Sequence, residues 1–256
     1  MSKNKLFKKG ITLFAGLSMA GMLAACGSSD SSEEQKSGEA GGSAEETYNI
    51  RFTHVVAEDH ASHLALTEFA ENVEEASDGR ITMEVFPNGQ LYGSDREAVE
   101  AVQMGNVEMT MIATPTMAGF NDQFMVFDLP FLFESKEEAR EAADGELGEK
   151  LNAGLEELGM VGMGYGENGF RHYTNNRGPI EEPSDLEGLK LRVIESQLYQ
   201  DMYNELGASA SPLAFSELYS ALQQGTYDAM ENPISLIYSM KFYEVQDYLT
   251  MTHQTY

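Results

Sequence analysis

Between Tyr48 and Thr252 strand-like and helix-like segments alternate along the chain. That alternation restricts the chain to sheets whose strands are joined by helical crossovers, most of them parallel. Ile50–Thr53 opens as a strand. Residues 61–77 carry an apolar stripe at Leu66, Phe69, Ala70 and Val73 and stop at Gly79, which predicts a helix. Ile81–Phe86 alternates as a strand and ends at Pro87-Asn88-Gly89. Ser94 with Glu97 predicts a capped helix ending at Gly105, and Ser135 with Glu138 predicts another running to about Gly159. Further strands are expected at 107–112, 160–165, 170–174, 189–194, 227–230 and 247–252. Helices are expected at 197–206, at 216–224 with Gly225 as its stop, and at 233–240.

The segment before this body has a different character. Lys3, Lys5, Lys8 and Lys9 precede a short apolar run, Ile11–Leu23, that is too brief and too dotted with Gly and Ser to span a bilayer. Residues 1–25 therefore read as a signal peptide. The string Leu23-Ala24-Ala25-Cys26 resembles the bacterial lipobox, and Cys26 is the only cysteine of the chain. A lone thiol in an exported protein is explained by lipidation at Cys26; a chance cysteine after an ordinary signal peptide is the plainer alternative. Residues 26–46, rich in Gly, Ser, Glu and Ala, cannot bury a core and read as a solvated tether from that lipid to the body. The formal charge is −26, and loss of the four lysines of residues 1–25 brings it to −30. Such a surface repels nucleic acid and anionic lipid headgroups, so no nucleic-acid partner is expected.

Few side chains stand out as chemistry. Gly164-Tyr165-Gly166-Glu167-Asn168-Gly169 fits a phosphate-loop spacing, but Phe170–Thr174 continues as β-like sequence where a helix N-terminus is required; a glycine-rich crossover is the simpler reading. His60 and His63 lie one helical turn apart, without a cysteine or a second metal-binding pattern nearby, so no metal is expected. His54, at a strand end, is expected to face a cleft and the other two to be surface residues. The 42 Asp and Glu make chance carboxylate pairs common, and no catalytic group is assigned. Arg171 and Arg192 are notable because the chain has only 16 Lys and Arg and both sit in β-like, apolar contexts. A long cation there is costly unless paired. Each is either a structural ion pair or a fork of donors for a ligand carboxylate.

Five ordered segments carry a resemblance. They are Gly169–Asn176, Asp185–Val193 with Leu191-Arg192-Val193, Pro212–Gly225 with Ala214-Phe215-Ser216-Glu217, Glu231-Asn232-Pro233, and Lys241–Gln246. Together they resemble the DctP-type substrate-binding proteins of TRAP (tripartite ATP-independent periplasmic) transporters, over residues 48–256. The resemblance implies an α/β, two-lobed, class II periplasmic-binding-protein-like fold with a hinge and an interlobe cleft. Lobe I would be 47–167 with 250–256 returning to it, and lobe II 168–249. It implies that Arg192 makes the main salt bridge to a ligand carboxylate, that Arg171 assists, that Phe215 lines the pocket and that Asn232 donates a hydrogen bond. His54, Asp95 and Thr114 would contribute from lobe I. His54-Val55-Val56 and Ala113-Thr114-Pro115 depart from the sialic-acid members, so a C4-dicarboxylate or a sugar acid such as a hexuronate is favoured.

The implied function is an extracytoplasmic receptor without cofactor or catalysis. Its partners would be a small organic acid, the membrane subunits of a TRAP permease, and the membrane itself through Cys26, at the outer face of the cytoplasmic membrane or in the periplasm. Two alternatives are a secreted lipoprotein enzyme acting on acidic sugars and a binding protein serving an ABC importer. The family pattern continues past a Tyr256-like position, so the C-terminal part of the fold is expected to be missing, with Arg171, Arg192, Phe215 and Asn232 still converging.

Overall fold

A computed structural model describes residues 46–256 of the chain. The expected signal peptide, Cys26 and all but the last residue of the expected tether lie outside the described residues.

Two sheets organise an α/β, two-lobed architecture. The first holds β1 (Tyr48–Thr53), β2 (Ile81–Phe86) and β3 (Met109–Thr110) in the order β2-β1-β3, all parallel. Helix α1 (Ala61–Ala76) is the crossover between β1 and β2. It ends where Asp78 and Gly79 turn left-handed (φ 51° and 75°), with the Gly79 amide donating to Glu74 O at 2.9 Å. Of its apolar stripe only Ala70 is buried, and Phe69 is 37% exposed. Helix α2 (Asp95–Gln103) starts at the Ser94 cap, whose Oγ accepts from the Glu97 amide at 3.2 Å, while Glu97 accepts from Gly93 N at 3.1 Å.

Strand β3 is two residues long where six were expected. Its partner β1 runs out at Thr53. On its other edge β1 continues one residue further, the His54 amide donating to Phe86 O and its carbonyl accepting from Gly89 N. Beyond the short helix α3 (Thr114–Met117), the expected helix over 135–159 is two helices, α4 (Lys136–Asp144) and α5 (Glu146–Ala153), followed by a 3₁₀ turn at Glu156–Leu158. The chain is extended at Gly145 between them. The helices then pass so closely that a Cβ at Gly148 would lie 1.7 Å from Ala143 O. The strand expected at 160–165 does not form. Gly159, Gly162, Gly164, Gly166 and Gly169 weaken β structure there, and the segment crosses to the second sheet without a ladder.

The second sheet holds β4 (Arg171–Asn175), β5 (Lys190–Val193), β6 (Ser209–Pro212), β7 (Ala229–Pro233) and β8 (Tyr248–Thr250) in the order β6-β5-β7-β4-β8. β5 pairs in parallel with β6 and β7, whereas β4 runs antiparallel to β7 and β8. With the first sheet included, four of six pairings are parallel. β7 runs to Pro233, three residues beyond the expected end, so Glu231 and Asn232 lie in the sheet.

Side chains alternate across this sheet. Leu191, Val193 and Ala229 pack with Tyr199 and Tyr203 of α6 (Gln197–Glu205), all 0% exposed. Met230 faces the other way, onto Leu218 and Leu222 of α7 (Leu218–Gln223) and Ile237 of α8 (Ile234–Ser239). A separate core of Val99, Met117, Phe124, Phe127, Phe133 and Leu151 serves the first sheet's side. The last residues run from β8 towards it. Gln254 O accepts from Phe131 N at 2.8 Å, and the Tyr256 ring lies 5.1 Å from Phe170 and 6.1 Å from Phe133.

Candidate ligand-binding site

The strand ends of the second sheet bring together four of the singled-out residues. Arg192 belongs to β5, Arg171 to β4 and Asn232 to β7. Phe215 opens a 3₁₀ turn, Phe215–Glu217, shortly after β6. Ligands of open α/β sheets bind beyond the carboxyl ends of strands, and Arg192 and Phe215 lie there.

Arg192 is 2% exposed. Its Nε and Nη2 donate to Leu213 O at 3.0 and 2.6 Å, and its guanidinium lies 5.9 Å from the Phe215 ring centroid. Its Nη1 is buried with no hydrogen-bond partner, and among the described residues no carboxylate is within ion-pair distance of Arg192. Burial, partly offset by Glu231, lowers its pKa to about 10, so it stays a cation at neutral pH. The carbonyl of Leu213 takes one edge of the guanidinium. The end-on edge, Nη1 with Nη2, remains for an anion.

Arg171 is 4% exposed and is occupied differently. Its Nε forms a short ion pair with Glu231, and Nη2 donates to Glu231 Oε1 at 3.0 Å, to Glu231 O at 2.9 Å and to Asn232 Oδ1 at 3.3 Å. Burial opposes its charge, but the Glu231 carboxylate holds its pKa above the ordinary value. Its guanidinium also lies 5.6 Å from the Tyr199 ring centroid. The Asn232 amide donates to Met230 Sδ at 3.1 Å.

From the first sheet's side Asp95 approaches this cluster, close enough for Arg192 to feel its charge. Asp95, first residue of α2, accepts from Ala113 N at 2.9 Å through Oδ2, while its Oδ1 is buried without a partner. Burial raises its pKa to about 6, with the Ala113 amide and then Arg192 working against the rise. Thr114, half-buried, follows Ala113 at the start of α3. The approach is close because Gly93 has no side chain. A Cβ there would lie 2.8 Å from Ser216 Oγ, and the Ser216 amide donates to Gly93 O at 3.3 Å.

His54 is buried and partnered by another imidazole. Its Nε2 shares a hydrogen bond with His63 Nδ1 at 3.0 Å, and burial with two neighbouring imidazoles lowers its pKa to about 4. The expectation that His60 is a surface residue is corrected. It is 4% exposed because it caps α1, its Nδ1 accepting from Ser62 N at 3.2 Å.

Sequence reasoning missed Glu231 and Asp128. Glu231 is fully buried beneath Arg171. The Glu231-Asn232-Pro233 string drew attention to Asn232 and read as a helix entry rather than a strand. Asp128 is also fully buried, within reach of the Arg171 and Glu231 charges, and nothing around it in the sequence marks it out. Two open surface depressions of about 570 and 700 Å³ lie elsewhere, one at Pro183–Gly188 with Glu205–Gly207, the other between Ala118–Gln123 and Lys150–Leu158.

The sequence pattern of the family described as "Bacterial extracellular solute-binding protein, family 7" (DctP) matches residues 52–256. The chain is 39% identical over 207 residues to the C4-dicarboxylate-binding protein DctB of Bacillus subtilis, covering 81% of this chain and 59% of that protein. It spans about three fifths of the length of the curated relatives it matches. Among solved structures, the sugar acid binding protein DctPAm from Advenella mimigardefordensis, in complex with galactonate, matches with TM-score 0.80 and 40% identity, over 82% of this chain and 68% of that one. A TRAP periplasmic solute binding protein from Sulfurospirillum deleyianum with bound succinate matches with TM-score 0.79 and 37% identity, over the same shares. The strand-end arginines, the Phe215 turn and the buried Glu231-Asn232-Pro233 strand thus sit in a chain that belongs to the DctP family of bacterial extracellular solute-binding proteins.

Proposed function

We propose that this chain is the extracytoplasmic solute receptor of a TRAP transporter, holding a small carboxylate between two lobes and delivering it to the permease. The observation that carries the reading is Arg192, a buried cation with an unpartnered Nη1 at a strand end beside Phe215. An uncompensated buried donor and charge is costly, and a carboxylate supplies both the hydrogen bonds and the counter-charge. Its relatives bind small acids: galactonate and succinate in two of the solved structures.

In this reading the chain is a binder and not an enzyme. Lobe I is 47–167 with 250–256 returning to it, and lobe II is 168–249. Arg192 is the anchor. Phe215 and Asn232 line the ligand, and Arg171, neutralised by Glu231, orients Asn232. Asp95 and Thr114 approach from lobe I, with His54 behind them. Cys26 carries the lipid that keeps the receptor at the membrane near the permease subunits.

A thermal-shift series on the full chain tests the reading, because a ligand that binds only the folded state adds about 2.7 kcal/mol at a hundred times its Kd. Organic acids should raise the melting temperature in a concentration-dependent way, and their amides or alcohols should not. A panel of C4-dicarboxylates, aldonates and uronates that leaves the transition unmoved would refute it.

A further inference from the structure

The charge pattern around Arg192 bears on which acid fits. Arg171 is neutralised by Glu231. That leaves Arg192 as the cation of the site without a carboxylate partner, enough for one ligand carboxylate. The groups that face it from elsewhere are acidic. Asp95 lies close enough for each to feel the other's charge, although no ion pair joins them within 4.0 Å, and Glu195, half-buried after β5, acts on both. Asp95 Oδ1 is a buried acceptor with nothing to accept.

We propose that Asp95 sets the ligand class: the site takes a monocarboxylate that carries hydroxyl groups, an aldonate or uronate, and rejects a dicarboxylate of similar span. The proposal rests on the receptor reading given above. The ligand carboxylate sits on the end-on edge of Arg192, and a hydroxyl further along donates to Asp95 Oδ1. Asp95 is ionised at neutral pH, since its pKa of about 6 lies below it. A second carboxylate would then meet two like charges, Asp95 and Glu195, and such juxtaposition opposes binding.

Calorimetric titration of the full chain with galactonate and with fumarate decides it. At about pH 7.5 galactonate should bind at least about tenfold more tightly than fumarate. Asp95→Asn should narrow that ratio by about tenfold or more, with fumarate gaining, because the amide removes the repulsion and, with its single oxygen held by the Ala113 N–H, turns a donor NH2 towards the ligand. A second arm needs no variant. As pH falls from about 8 to about 5, Asp95 takes up a proton while fumarate stays doubly ionised, so the preference of the unaltered protein should narrow. The groups facing Asp95 in that window are Arg192, Glu195 and the Ala113 amide.

Tighter binding of fumarate than of galactonate would overturn the proposal, as would a ratio indifferent both to Asp95→Asn and to pH. If fumarate wins and Arg192→Lys abolishes its binding, this inference fails while the receptor reading stands. If neither acid binds, this inference fails, and the thermal-shift panel of acids given above decides the receptor reading by itself.

Discussion

Replacing Asp128 with asparagine should stabilise the protein at neutral and alkaline pH. Asp128 ends the 3₁₀ turn Asp122–Asp128, is 0% exposed, and neither of its carboxylate oxygens has a hydrogen-bond partner. Burial raises its pKa from 3.8 to about 7, with Arg171 pulling it down and Glu231 pushing it up. Between those two values the folded protein holds a proton that the unfolded chain has lost. Stability contributed by this group is therefore complete below about pH 4, falls as pH rises towards about 7, and stays lost above it. One pKa unit is worth about 1.4 kcal/mol, so the penalty at about pH 8 is on the order of 4 kcal/mol, an upper figure because Arg171 and Glu231 share the titration. An asparagine side chain at this position could not ionise and would escape it. Urea unfolding of the unaltered protein and of Asp128→Asn from about pH 4.5 to 8.5 should show a stability difference near zero at the acid end that grows to a few kcal/mol at the alkaline end. The comparison cancels Asp95 and the histidines, which titrate in both proteins. A difference that does not change with pH, or a variant that is less stable at about pH 8, would refute the reasoning.

Three further outcomes are expected. Glu231→Gln leaves Arg171 buried without its counter-charge and should cost roughly 3–5 kcal/mol in the same unfolding experiment; a loss below about 1 kcal/mol would mean that another carboxylate takes its place. His172 is 3% exposed, and its Nδ1 accepts from the amides of Thr252 and His253 at 3.2 and 3.3 Å. Burial and His253 lower its pKa from 6.5 to about 4, so its contribution is present above about pH 6.5 and lost as pH falls towards 4. Hydrogen exchange at Thr252 and His253 should lose protection over that window, and protection that persists at pH 4 would show the bonds survive protonation. Cys26→Ser should move the protein from the membrane fraction to the soluble one; continued sedimentation with membranes would contradict lipidation there.

What could be read from the sequence was what depends on neighbours along the chain. The Ser94 and Ser135 caps, the stop at Gly79 and the strand at Lys190–Val193 are set within a few residues, and each forms where the pattern placed it. The length of β3 depends instead on how far its partner β1 runs beside it, and no local pattern records that. Glu231 was hidden for the same reason. A carboxylate inside a strand looks like a turn residue until Arg171, 60 positions earlier, is seen to neutralise it. Arg192 was legible as a rare cation in an apolar string. Its unpartnered Nη1, on which its proposed role rests, appears only once Leu213 is seen to take one edge of the guanidinium. His60 was misplaced because a capping imidazole is an uncommon way to start a helix.

The role of Arg192 is tested most directly by calorimetric titration of the full chain with galactonate, set beside Arg192→Lys and Arg192→Ala. Lysine keeps the charge but loses the planar edge formed by Nη1 and Nη2, which matches a carboxylate two bonds at a time. The account predicts at least about thirtyfold weaker binding for the lysine variant, the cost of roughly 2 kcal/mol, and no measurable binding for the alanine variant. Unchanged affinity in Arg192→Ala, in a protein that still melts cooperatively, would contradict it.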